Sequence, residues 1–318
     1  MARRETADIY YDKEKVSKCL EGEWENILLL IEGALKSYSA GKVSQPVRAA
    51  VQIKKHNGLL LAMPAYDSEL DSLATKVVTV FPESKKKGLN SVQSVVLLYD
   101  AADGKLKAIL DGEVITSMRT AAASAVATKY LASKEAKHLA ILGAGTQARS
   151  HYQAFCHIYN FEKIFIWNIN TESAIKLRDE ILETGKQCVV CYTVKDAVET
   201  ADIIVTATMA QKPILKKEWI KMGSHINAVG APVPEWQELE NDLILSSVIY
   251  VDSREAALAE SGDIIQSKAD IYAEIGEVIL GLKHPYVHKT TLFKSLGMAV
   301  EDVVTAELVY QILQKTNF

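Results

Sequence analysis

The spacing of apolar residues along the first third of the chain predicts a helix followed by several strands. Within residues 1–41, apolar side chains recur at helical spacing, namely Ile27, Leu28, Ile31, Leu35 and Tyr38. Asn-Gly and Asp-Gly pairs, which are typical of hairpin turns, then separate runs rich in β-branched residues. These runs predict strands at Val47–Ile53, Leu59–Met63, Ala74–Phe81, Ser94–Tyr99 and Lys105–Leu110, with a polar loop at Pro82–Asn90. We therefore expect a helix and a mostly antiparallel sheet.

Beyond this point, helical and strand patterns alternate. Helices are predicted at Thr116–Ala132, from the glycine turn to about Tyr159, at Glu172–Glu183, Lys195–Thr200 and Met298–Leu313. Strands are predicted at Leu139–Leu142, Lys163–Trp167, Cys188–Tyr192, Asp202–Thr206, His225–Val229 and Val248–Val251. Alternation of this kind builds a parallel sheet with helices on both faces.

The predicted fold class is therefore α/β, with a Rossmann-type doubly wound parallel sheet and a second, β-rich α+β domain. A length of 318 residues also favours two domains. We place the first domain at residues 1–118 and the second at 119–295. The closing helix, within 296–318, is expected to return to the first domain.

A glycine-rich turn joins the first predicted parallel strand to its helix. Gly143 permits a tight turn, and Gly145 lets a pyrophosphate approach the backbone because it has no Cβ atom. Ala148, in the third position of the motif, keeps the helix close to the strand. Glycines at such turns are often only turn residues. The flanking strand, helix and second strand nevertheless supply the context that favours dinucleotide binding.

The end of the second strand of this unit bears on the choice of cofactor. Enzymes that use NAD usually carry an acidic residue there, which bonds the ribose 2′-hydroxyl. This chain has Asn168-Ile169-Asn170-Thr171, so no carboxylate repels a 2′-phosphate, and no Arg pairs with one. NADPH is the predicted cofactor, and NADH remains open. Alternatively, Asn168 only closes a turn.

Composition excludes several other classes of protein. A net charge of −4 gives no reason to expect nucleic acid or an anionic membrane as a partner. The apolar runs are much shorter than the ~20 residues that span a bilayer, and the N-terminus lacks the apolar core of a secretory signal. The four cysteines form no disulfide framework, and the Cys188–Cys191 pair is predicted to be buried free thiols. We expect a cytoplasmic protein. The histidines show no metal-binding spacing.

Three cations stand in unusual surroundings in the first part of the chain. Arg48 begins a strand, Lys76 lies within an apolar strand, and Arg119 lies near the start of an Ala-rich helix. A solvated surface charge is the plainer interpretation of each. A cation within a β-branched run must nevertheless reach an edge or meet a partner. Together the three indicate an anionic substrate, with Arg holding a carboxylate.

Motifs along the whole chain resemble the ornithine cyclodeaminase/mu-crystallin family. They are QPVR at 45–48, MPAY at 63–66, TK at 75–76, DGxxITxxRTAA at 111–122, ILGAGTQA at 141–148, HINAVGA at 225–231, YVDSxEAALxESGD at 250–263 and FKSLGMAVED at 293–302. The resemblance implies a homodimer in which the β-rich domain supplies the dimer contact and the substrate groove. It also implies NADPH-dependent reduction of cyclic imino acids, the ketimine reductase activity of the mu-crystallin branch, and binding of thyroid hormone.

Site residues follow from the resemblance position by position. It implies that Arg48, Lys76 and Arg119 are catalytic and bind substrate, and that Glu260 contacts the ligand. The cofactor residues it implies are Ser91, Arg119, Thr120, Gly143, Ala144, Gly145, Thr146, Gln147, Asn168, Asn170, Thr208, Met209, Val229 and Ser295.

Three positions depart from the family pattern. Leu61 and Pro232 stand where cyclodeaminases carry Glu and Asp, so cyclodeamination is disfavoured. The mu-crystallin branch has Ser at Pro232, which bears on hormone binding, and Arg at Ile169, which would pair with the 2′-phosphate. The favoured hypothesis is reduction of the C=N bond of a cyclic ketimine. The alternatives are an alanine-dehydrogenase-like oxidoreductase and a hormone-binding or crystallin-type NADPH-binding protein without turnover.

Overall fold

A mostly antiparallel sheet of seven strands forms from the β-branched runs of the first part of the chain in the computed structural model, which describes residues 9–316. Its order is β1-β7-β6-β5-β4-β2, with β3 also paired to β4, and the β1–β7 pair is parallel. Side chains alternate between the two faces. The strands are β1 Tyr10–Tyr11, β2 Val43–Ser44, β3 Ala49–Ile53, β4 Gly58–Asp67, β5 Ser72–Val80, β6 Val92–Tyr99 and β7 Leu106–Asp111.

One face of this sheet is covered by helices. Helix α11 packs on β4, β5 and β6 and against α2, and its apolar residues are buried with Ile27 and Ile31 of α2. Removing the apolar side chains of this contact from water stabilises the packing of α11 on the sheet and on α2. The helices are α1 Lys13–Leu20, α2 Trp24–Ser39, the start of α3 Gly112–Leu131, and α11 Ala299–Thr316.

The predicted end of the second strand at Met63 is wrong, because β4 continues through Pro64 to Asp67. Proline lacks an N–H group and is normally excluded from a central strand. Here β3 pairs with β4 only as far as Ala62, and β2 pairs with it only from Tyr66. Pro64 therefore lies where β4 is paired on one side only, with β5, and a residue without an N–H group is tolerated on such an edge.

Two other local predictions need correction. The N-terminal helical pattern is interrupted between α1 and α2, where Gly22 adopts a φ of 78° that other residues rarely take. Within the predicted loop at Pro82–Asn90, Pro82–Lys87 forms a 3₁₀ helix. Residues 1–8 of the predicted helical segment and residues 317–318 of the closing segment lie outside the described residues.

The alternating helices and strands form an eight-stranded sheet in which every pairing is parallel. Its order is β10-β9-β8-β11-β12-β15-β13-β14. The central strands are buried along their whole length, as expected when helices cover both faces. The strands are β8 His138–Leu142, β9 Lys163–Trp167, β10 Cys188–Val190, β11 Ile203–Thr206, β12 His225–Ala228, β13 Val248–Val251, β14 Ala273–Glu274 and β15 Thr291–Lys294.

Seven helices follow α3 in this part of the chain, and four of them were not predicted. The chain leaves β8 first towards β9 and β10, and then crosses back to β11 on the other side of β8. This reversal creates the point at which ligands bind in open α/β sheets. The helices are α4 Thr146–Ile158, α5 Thr171–Glu183, α6 Val194–Val198, α7 Asn241–Ser246, α8 Arg254–Glu260, α9 Gly262–Ser267 and α10 Ile275–Ile279.

The chain divides into two compact units at two points. The first unit comprises the residues through Arg119 and those from Met298 onward, and the second unit is Thr120–Gly297. Each unit contains one of the two sheets. Among residues 9–316, no helix combines the length and hydropathy that a membrane crossing requires.

Candidate active site

Most of the predicted cofactor residues of the second unit lie just beyond the carboxyl ends of its strands. Gly143–Gln147 follow β8, Asn168 and Asn170 follow β9, and Thr208 and Met209 come after β11. Val229 and Ser295 follow β12 and β15 in the same way. Because all these strands are parallel, the residues meet at one edge of the sheet. Dinucleotides bind at that edge in open α/β folds.

The geometry of the glycine turn fits a pyrophosphate. Gly143 has a φ of 124°, and a Cβ atom there would lie 2.5 Å from the carbonyl oxygen of Ala207, so this position requires glycine. A Cβ atom on Gly145 would meet no protein atom within 4 Å, so this residue faces open space. Gly145 is also the N-cap of α4, and it offers no side chain to the first N–H groups of the helix. Those groups remain available to an anion.

The loop after β9 is held by its own asparagines. Asn168 donates a hydrogen bond from Nδ2 to the carbonyl oxygen of Asn170 at 2.9 Å. Asn170 caps α5, because its Oδ1 accepts the N–H of Ser173 at 2.9 Å. Between them Ile169 is 90% exposed. Both asparagines therefore shape the loop, and the isoleucine leaves an apolar side chain at its tip.

A buried carboxylate fixes the turn that carries Ser295. Oδ2 of Asp252 accepts the backbone N–H groups of Leu296 and Gly297 at 2.6 and 2.7 Å. The Ser295 hydroxyl lies 3.5 Å from the same oxygen. Charge-assisted hydrogen bonds of this kind are stronger than neutral ones. This turn, at the end of β15, is consequently held in one conformation.

The first unit brings the three predicted cations together. Lys76 and Arg119 are buried, with exposures of 2% and 4%, and Arg48 is half-buried. The charges of both arginines act on Lys76 and lower its pKa, which places all three in one cluster. The Lys76 ammonium also lies 3.5 Å from the Thr116 hydroxyl. We call this group of three side chains the cation cluster.

Two carboxylates of α11 partner the cation cluster, and the sequence prediction missed both. Oδ2 of Asp302 lies 2.7 Å from Nζ of Lys76, while its Oδ1 accepts Nε–H of Arg119 at 3.0 Å. Oε2 of Glu301 accepts Nη1–H of Arg119 at 2.6 Å. The available signal was an acidic pair in the first turn of an otherwise apolar helix, GMAVEDVV. Buried cations need such partners.

The QPVR segment is tied to the same helix. Oε1 of Gln45 accepts the backbone N–H of Val300 at 3.0 Å, next to Glu301. This bond satisfies one of the free N–H groups at the start of α11. Gln45 thus anchors the loop that carries Arg48 close to the carboxylates of the cation cluster.

The pKa values of the two buried cations shift in opposite directions. Burial lowers the pKa of Lys76 to about 8, assisted by repulsion from Arg119 and only partly opposed by Asp302. Burial also lowers the pKa of Arg119, but Asp302 and Glu301 outweigh it and raise that pKa overall. Arg119 therefore stays charged, whereas Lys76 can hold or release a proton near neutral pH. A group of this kind is suited to proton transfer.

The remaining predicted site residues lie elsewhere in their units. Glu260 ends α8 and is half-buried, and Thr120 is buried at the start of the second unit. Ser91 precedes β6 in the first unit, where its carbonyl oxygen accepts the N–H of Phe81 at 2.7 Å. Contact of these residues with a ligand stays a prediction.

The histidine in the second turn of α4 has a structural role. His151 is fully buried, and its ring nitrogens lie 2.7 Å from the carbonyl oxygen of Gln147 and 2.9 Å from Oγ of Ser124. Burial lowers its pKa to about 4, so the ring is neutral at pH 7. In the part of the chain spanning residues 9–316, no group of three or more His, Cys, Asp or Glu side chains is placed to hold a metal ion.

Comparison with known proteins gives consistent results. Residues 14–317 match the Ornithine cyclodeaminase/mu-crystallin family. A ketimine reductase mu-crystallin of Rattus norvegicus is 50% identical over 283 residues, which cover 88% of this chain and 90% of that protein. A Thermococcus litoralis Delta(1)-pyrroline-2-carboxylate reductase, solved in complex with NADH and L-proline, is 38% identical. It superposes with a TM-score of 0.94, covering 97% of this chain and 98% of that one.

An archaeal alanine dehydrogenase dimer with bound NAD is also similar to this chain. It is 30% identical, with a TM-score of 0.92, and the match covers 98% of this chain and 97% of that one. The two solved structures share this fold, and each holds a nicotinamide dinucleotide, NADH in one and NAD in the other.

Proposed function

The chain belongs to the ornithine cyclodeaminase/mu-crystallin family, and on that premise we propose that it is an NAD(P)H-dependent oxidoreductase that reduces the C=N bond of cyclic ketimines. The substrates would be small cyclic imino acids of the piperideine- or pyrroline-2-carboxylate type. The observation that carries this proposal is the cation cluster, in which Lys76 has a pKa of about 8 beside two arginines. This cluster suits an anionic substrate whose nitrogen must gain a proton.

In the proposed reaction, the first unit binds the imino acid and the second unit binds the cofactor. Arg48 holds the substrate carboxylate, and Arg119, fixed by Glu301 and Asp302, supplies positive charge beside it. Lys76 donates a proton from Nζ to the imine nitrogen. The resulting iminium carbon is electrophilic, and NAD(P)H, when bound, supplies the hydride that it accepts. Proton on nitrogen and hydride on carbon together give the saturated cyclic amino acid.

We propose NADPH as the preferred cofactor, with NADH as a usable second. The loop at Asn168–Asn170 presents no carboxylate to repel a 2′-phosphate. The free N–H groups at the start of α4 would bind the pyrophosphate of either cofactor. Ile169, exposed at the tip of the loop, adds no positive charge, so the preference is expected to be small.

We also propose that the protein is a cytoplasmic homodimer. The sheet face of the first unit opposite α11 carries several half-buried apolar side chains, interrupted by Thr75 and Thr79, namely Leu60, Ala62, Val77, Val95 and Leu97. A second copy of this face would cover it, and the similar alanine dehydrogenase is a dimer. Light scattering of the purified protein measures its oligomeric state, and Val77→Glu is expected to yield monomers.

The proposed cytoplasmic location is supported by the cysteines. The four free cysteines are in keeping with a reducing compartment.

A second candidate function is alanine-dehydrogenase-like amination of pyruvate, favoured by the similarity to the archaeal enzyme. The cation cluster would bind the carboxylate of pyruvate equally well. Ammonia-dependent oxidation of NADH with pyruvate would reveal this activity. Cyclodeamination is not proposed, because Leu61 and Pro232 supply no carboxylate at the two positions where the family pattern needs one.

The decisive experiment is oxidation of NADPH and NADH by the purified protein with piperideine-2-carboxylate or pyrroline-2-carboxylate. Turnover with either imine supports the proposal, and the ratio between the cofactors measures the preference. Tight cofactor binding without turnover, together with binding of an iodothyronine such as thyroid hormone, would support a binding protein instead.

Substitution of Arg48 tests the role of the cation cluster in that reaction. Arg48→Met should raise the KM for the imine and lower kcat/KM while leaving the cofactor dissociation constant unchanged. The matched control is Lys107→Met, which removes a cation of the same sheet that pairs with Glu307 at 3.1 Å outside the cluster. An unchanged kcat/KM in the Arg48 variant would refute the assignment.

A further inference from the structure

A fully buried glutamate outside the predicted site residues joins two loops of the cofactor edge. Oε1 of Glu238 accepts the backbone N–H of Thr208 at 2.9 Å and the hydroxyl of the same residue. Its Oε2 accepts the backbone N–H of Gly230 at 3.2 Å. Thr208 lies in the loop after β11, and Gly230 lies in the loop after β12. One carboxylate therefore holds both loops through their main chain.

Both main-chain polar groups of Gly230, its N–H and its carbonyl oxygen, are hydrogen-bonded to buried side chains. Nζ of the buried Lys294, the last residue of β15, donates to the carbonyl oxygen of Gly230. A Cβ atom on Gly230 would lie only 2.3 to 2.6 Å from the three outer atoms of the Glu238 side chain. Glycine is thus required here for a reason of space, because it lets the carboxylate reach the backbone.

A second carboxylate holds Glu238 itself in place. Oδ1 of Asp263 accepts the backbone N–H groups of Glu238 and Leu239 at 2.8 and 3.1 Å. Its Oδ2 pairs with Lys294 at 3.0 Å, and both side chains of this pair are fully buried. Buried charges persist only where such partners satisfy them. Three elements of the second unit, namely β15, α9 and the segment before α7, thus converge on the two loops.

We propose that Glu238 is a positioning residue for the dinucleotide. It sets the main chain of the loops after β11 and β12, and so places Thr208, Met209 and Val229 for contact with the cofactor. The inference rests on the proposed function, because it presumes that the carboxyl edge of this sheet binds NAD(P)H. Glu238 acts through the loops, and its carboxylate is occupied by their N–H groups.

The first test is Glu238→Gln, which keeps size and removes the charge. An amide has one acceptor oxygen, so its NH₂ group must face either the N–H of Gly230 or the donors of Thr208. We expect the dissociation constant of NADPH, measured by its fluorescence without substrate, to rise about tenfold, the loss typical of one hydrogen bond to a charged group. The amides of Thr208 and Gly230 should also exchange hydrogen faster in the cofactor-free protein.

A matched control lies at the opposite edge of the same sheet. Asp202 accepts the backbone N–H groups of Lys137 and His138 at 2.8 and 3.0 Å, where β8 and β11 begin. Asp202→Asn removes a comparable carboxylate cap and should lower Tm without changing the dissociation constant of NADPH. If Glu238→Gln likewise lowers Tm only, with NADPH affinity and loop exchange unchanged, Glu238 serves the fold alone and the proposal is overturned.

A double-mutant cycle supplies an independent test. Gly230→Ala should weaken NADPH binding because its Cβ atom displaces the Glu238 carboxylate. In the Glu238→Ala background that space is empty, so Gly230→Ala should add little further weakening. Effects that simply add would show that the two residues do not act together, and would contradict the proposal.

Failure of the proposed function is distinguishable from failure of this inference. If the unaltered protein binds neither NADPH nor NADH, the proposed function fails and Glu238 has no cofactor to position. If the unaltered protein binds NADPH and the Glu238→Gln variant binds it equally well, only the inference fails.

Discussion

Asp302 holds Lys76 and Arg119 at once, with one carboxylate oxygen for each. Its Oδ2 lies 2.7 Å from Nζ of Lys76, and its Oδ1 lies 3.0 Å from Nε of Arg119. All three side chains are at most 4% exposed. Removing one partner of a buried ion pair is strongly unfavourable, because the other charge is left uncompensated. The first turn of α11 therefore controls both the position and the charge of the cations proposed to bind substrate.

We expect Asp302→Asn to change the pH dependence of the reaction. Lys76 would lose the attraction that raises its pKa, while burial and repulsion from Arg119 and Arg48 would still lower it. If Lys76 donates the proton, kcat/KM in the unaltered enzyme falls as pH rises through about 8. This fall is the alkaline limb of the pH–rate profile. In the variant the alkaline limb should move to lower pH by about 1 to 3 units, the usual effect of removing an adjacent opposite charge. Initial rates with a preformed cyclic imine between pH 5 and 9 measure the shift.

A control on the same helix separates this effect from general destabilisation. Glu307 lies further along α11 and pairs with Lys107 at 3.1 Å, where both side chains are about one-fifth exposed. Glu307→Gln should leave the position of the alkaline limb unchanged. If the alkaline limb of kcat/KM lies at the same pH in the Asp302→Asn variant as in the unaltered enzyme, Lys76 is not the proton donor.

The low pKa of Lys76 also makes stability depend on pH. The pKa is about 8 in the folded chain, against an ordinary value of 10.5. Between these values the unfolded chain binds a proton that the folded chain has released, so the free energy of unfolding rises with pH. From pH 7 to 10 this contribution amounts to about 2 to 3 kcal/mol. Urea unfolding of the cofactor-free protein across this range measures it.

The Lys76→Met variant provides the reference for that measurement. It lacks the titrating group but retains the cysteines and tyrosines that also titrate in this range. The difference in unfolding free energy between the two proteins should therefore grow with pH in favour of the unaltered chain. A difference that stays constant from pH 7 to 10 would mean that Lys76 remains charged when folded.

The sheet types of the two units could be predicted from local patterns, but several strands could not. Helix–strand alternation correctly indicated the parallel sheet, and paired turns indicated the antiparallel one. β15 was missed although it lies between β12 and β13, because Thr291–Lys294 is short and ends in a lysine. That lysine can be buried because Asp263 pairs with it and the carbonyl oxygen of Gly230 accepts a hydrogen bond from it. The continuation of β4 through Pro64 likewise depends on which neighbouring strands are paired there.

In the candidate site, too, contiguous motifs could be predicted from the sequence, whereas contacts between residues far apart in the chain could not. The glycine turn is one contiguous motif, so its geometry could be predicted from residues 143–148. Lys76 was recognised as needing a partner, but Asp302 lies far along the chain and only the fold brings the two together. Glu238 gave no signal, since a single Glu in a polar segment is ordinarily solvated. The structure alone shows that it is fully buried.

Alanine substitutions in the glycine turn should separate folding from cofactor binding. Gly145→Ala places its Cβ atom in open space at an ordinary φ, so stability should fall by less than about 1 kcal/mol, because alanine is a poorer N-cap than glycine. The methyl group would occupy the path of the pyrophosphate, and overpacking of about 1 to 3 kcal/mol corresponds to about a 5- to 150-fold loss of NADPH affinity. Titration of NADPH fluorescence and thermal unfolding measure the two effects.

Gly143→Ala should behave differently. Its φ of 124° and the 2.5 Å approach of a Cβ atom to the Ala207 carbonyl oxygen strain the backbone itself. Stability should fall by about 1 to 3 kcal/mol or more, the cost of such backbone strain. Equal loss of stability in both variants, or undiminished NADPH affinity in Gly145→Ala, would contradict the assignment of this turn to the pyrophosphate.

Cofactor preference should respond to a charge placed at the tip of the loop after β9. The substitution that tests this is Ile169→Arg, and its control is Leu182→Arg. The control adds an arginine at an exposed position near the other end of α5. This control should alter the overall charge equally but leave both cofactors unaffected. It separates local pairing with a 2′-phosphate from general attraction of an anionic ligand.

Ile169→Arg is expected to increase the preference for NADPH over NADH. Ile169 is 90% exposed, so its replacement disturbs no packing, and the neighbouring Asn170 still caps α5. A guanidinium at this position can pair with the 2′-phosphate, which NADH lacks. A partly exposed charge-assisted pair contributes about 1 kcal/mol, so kcat/KM for NADPH should rise about fivefold while that for NADH stays constant. If both cofactors gain equally, or neither does, the 2′-phosphate does not lie at the loop after β9, and the proposed basis of the cofactor preference is wrong.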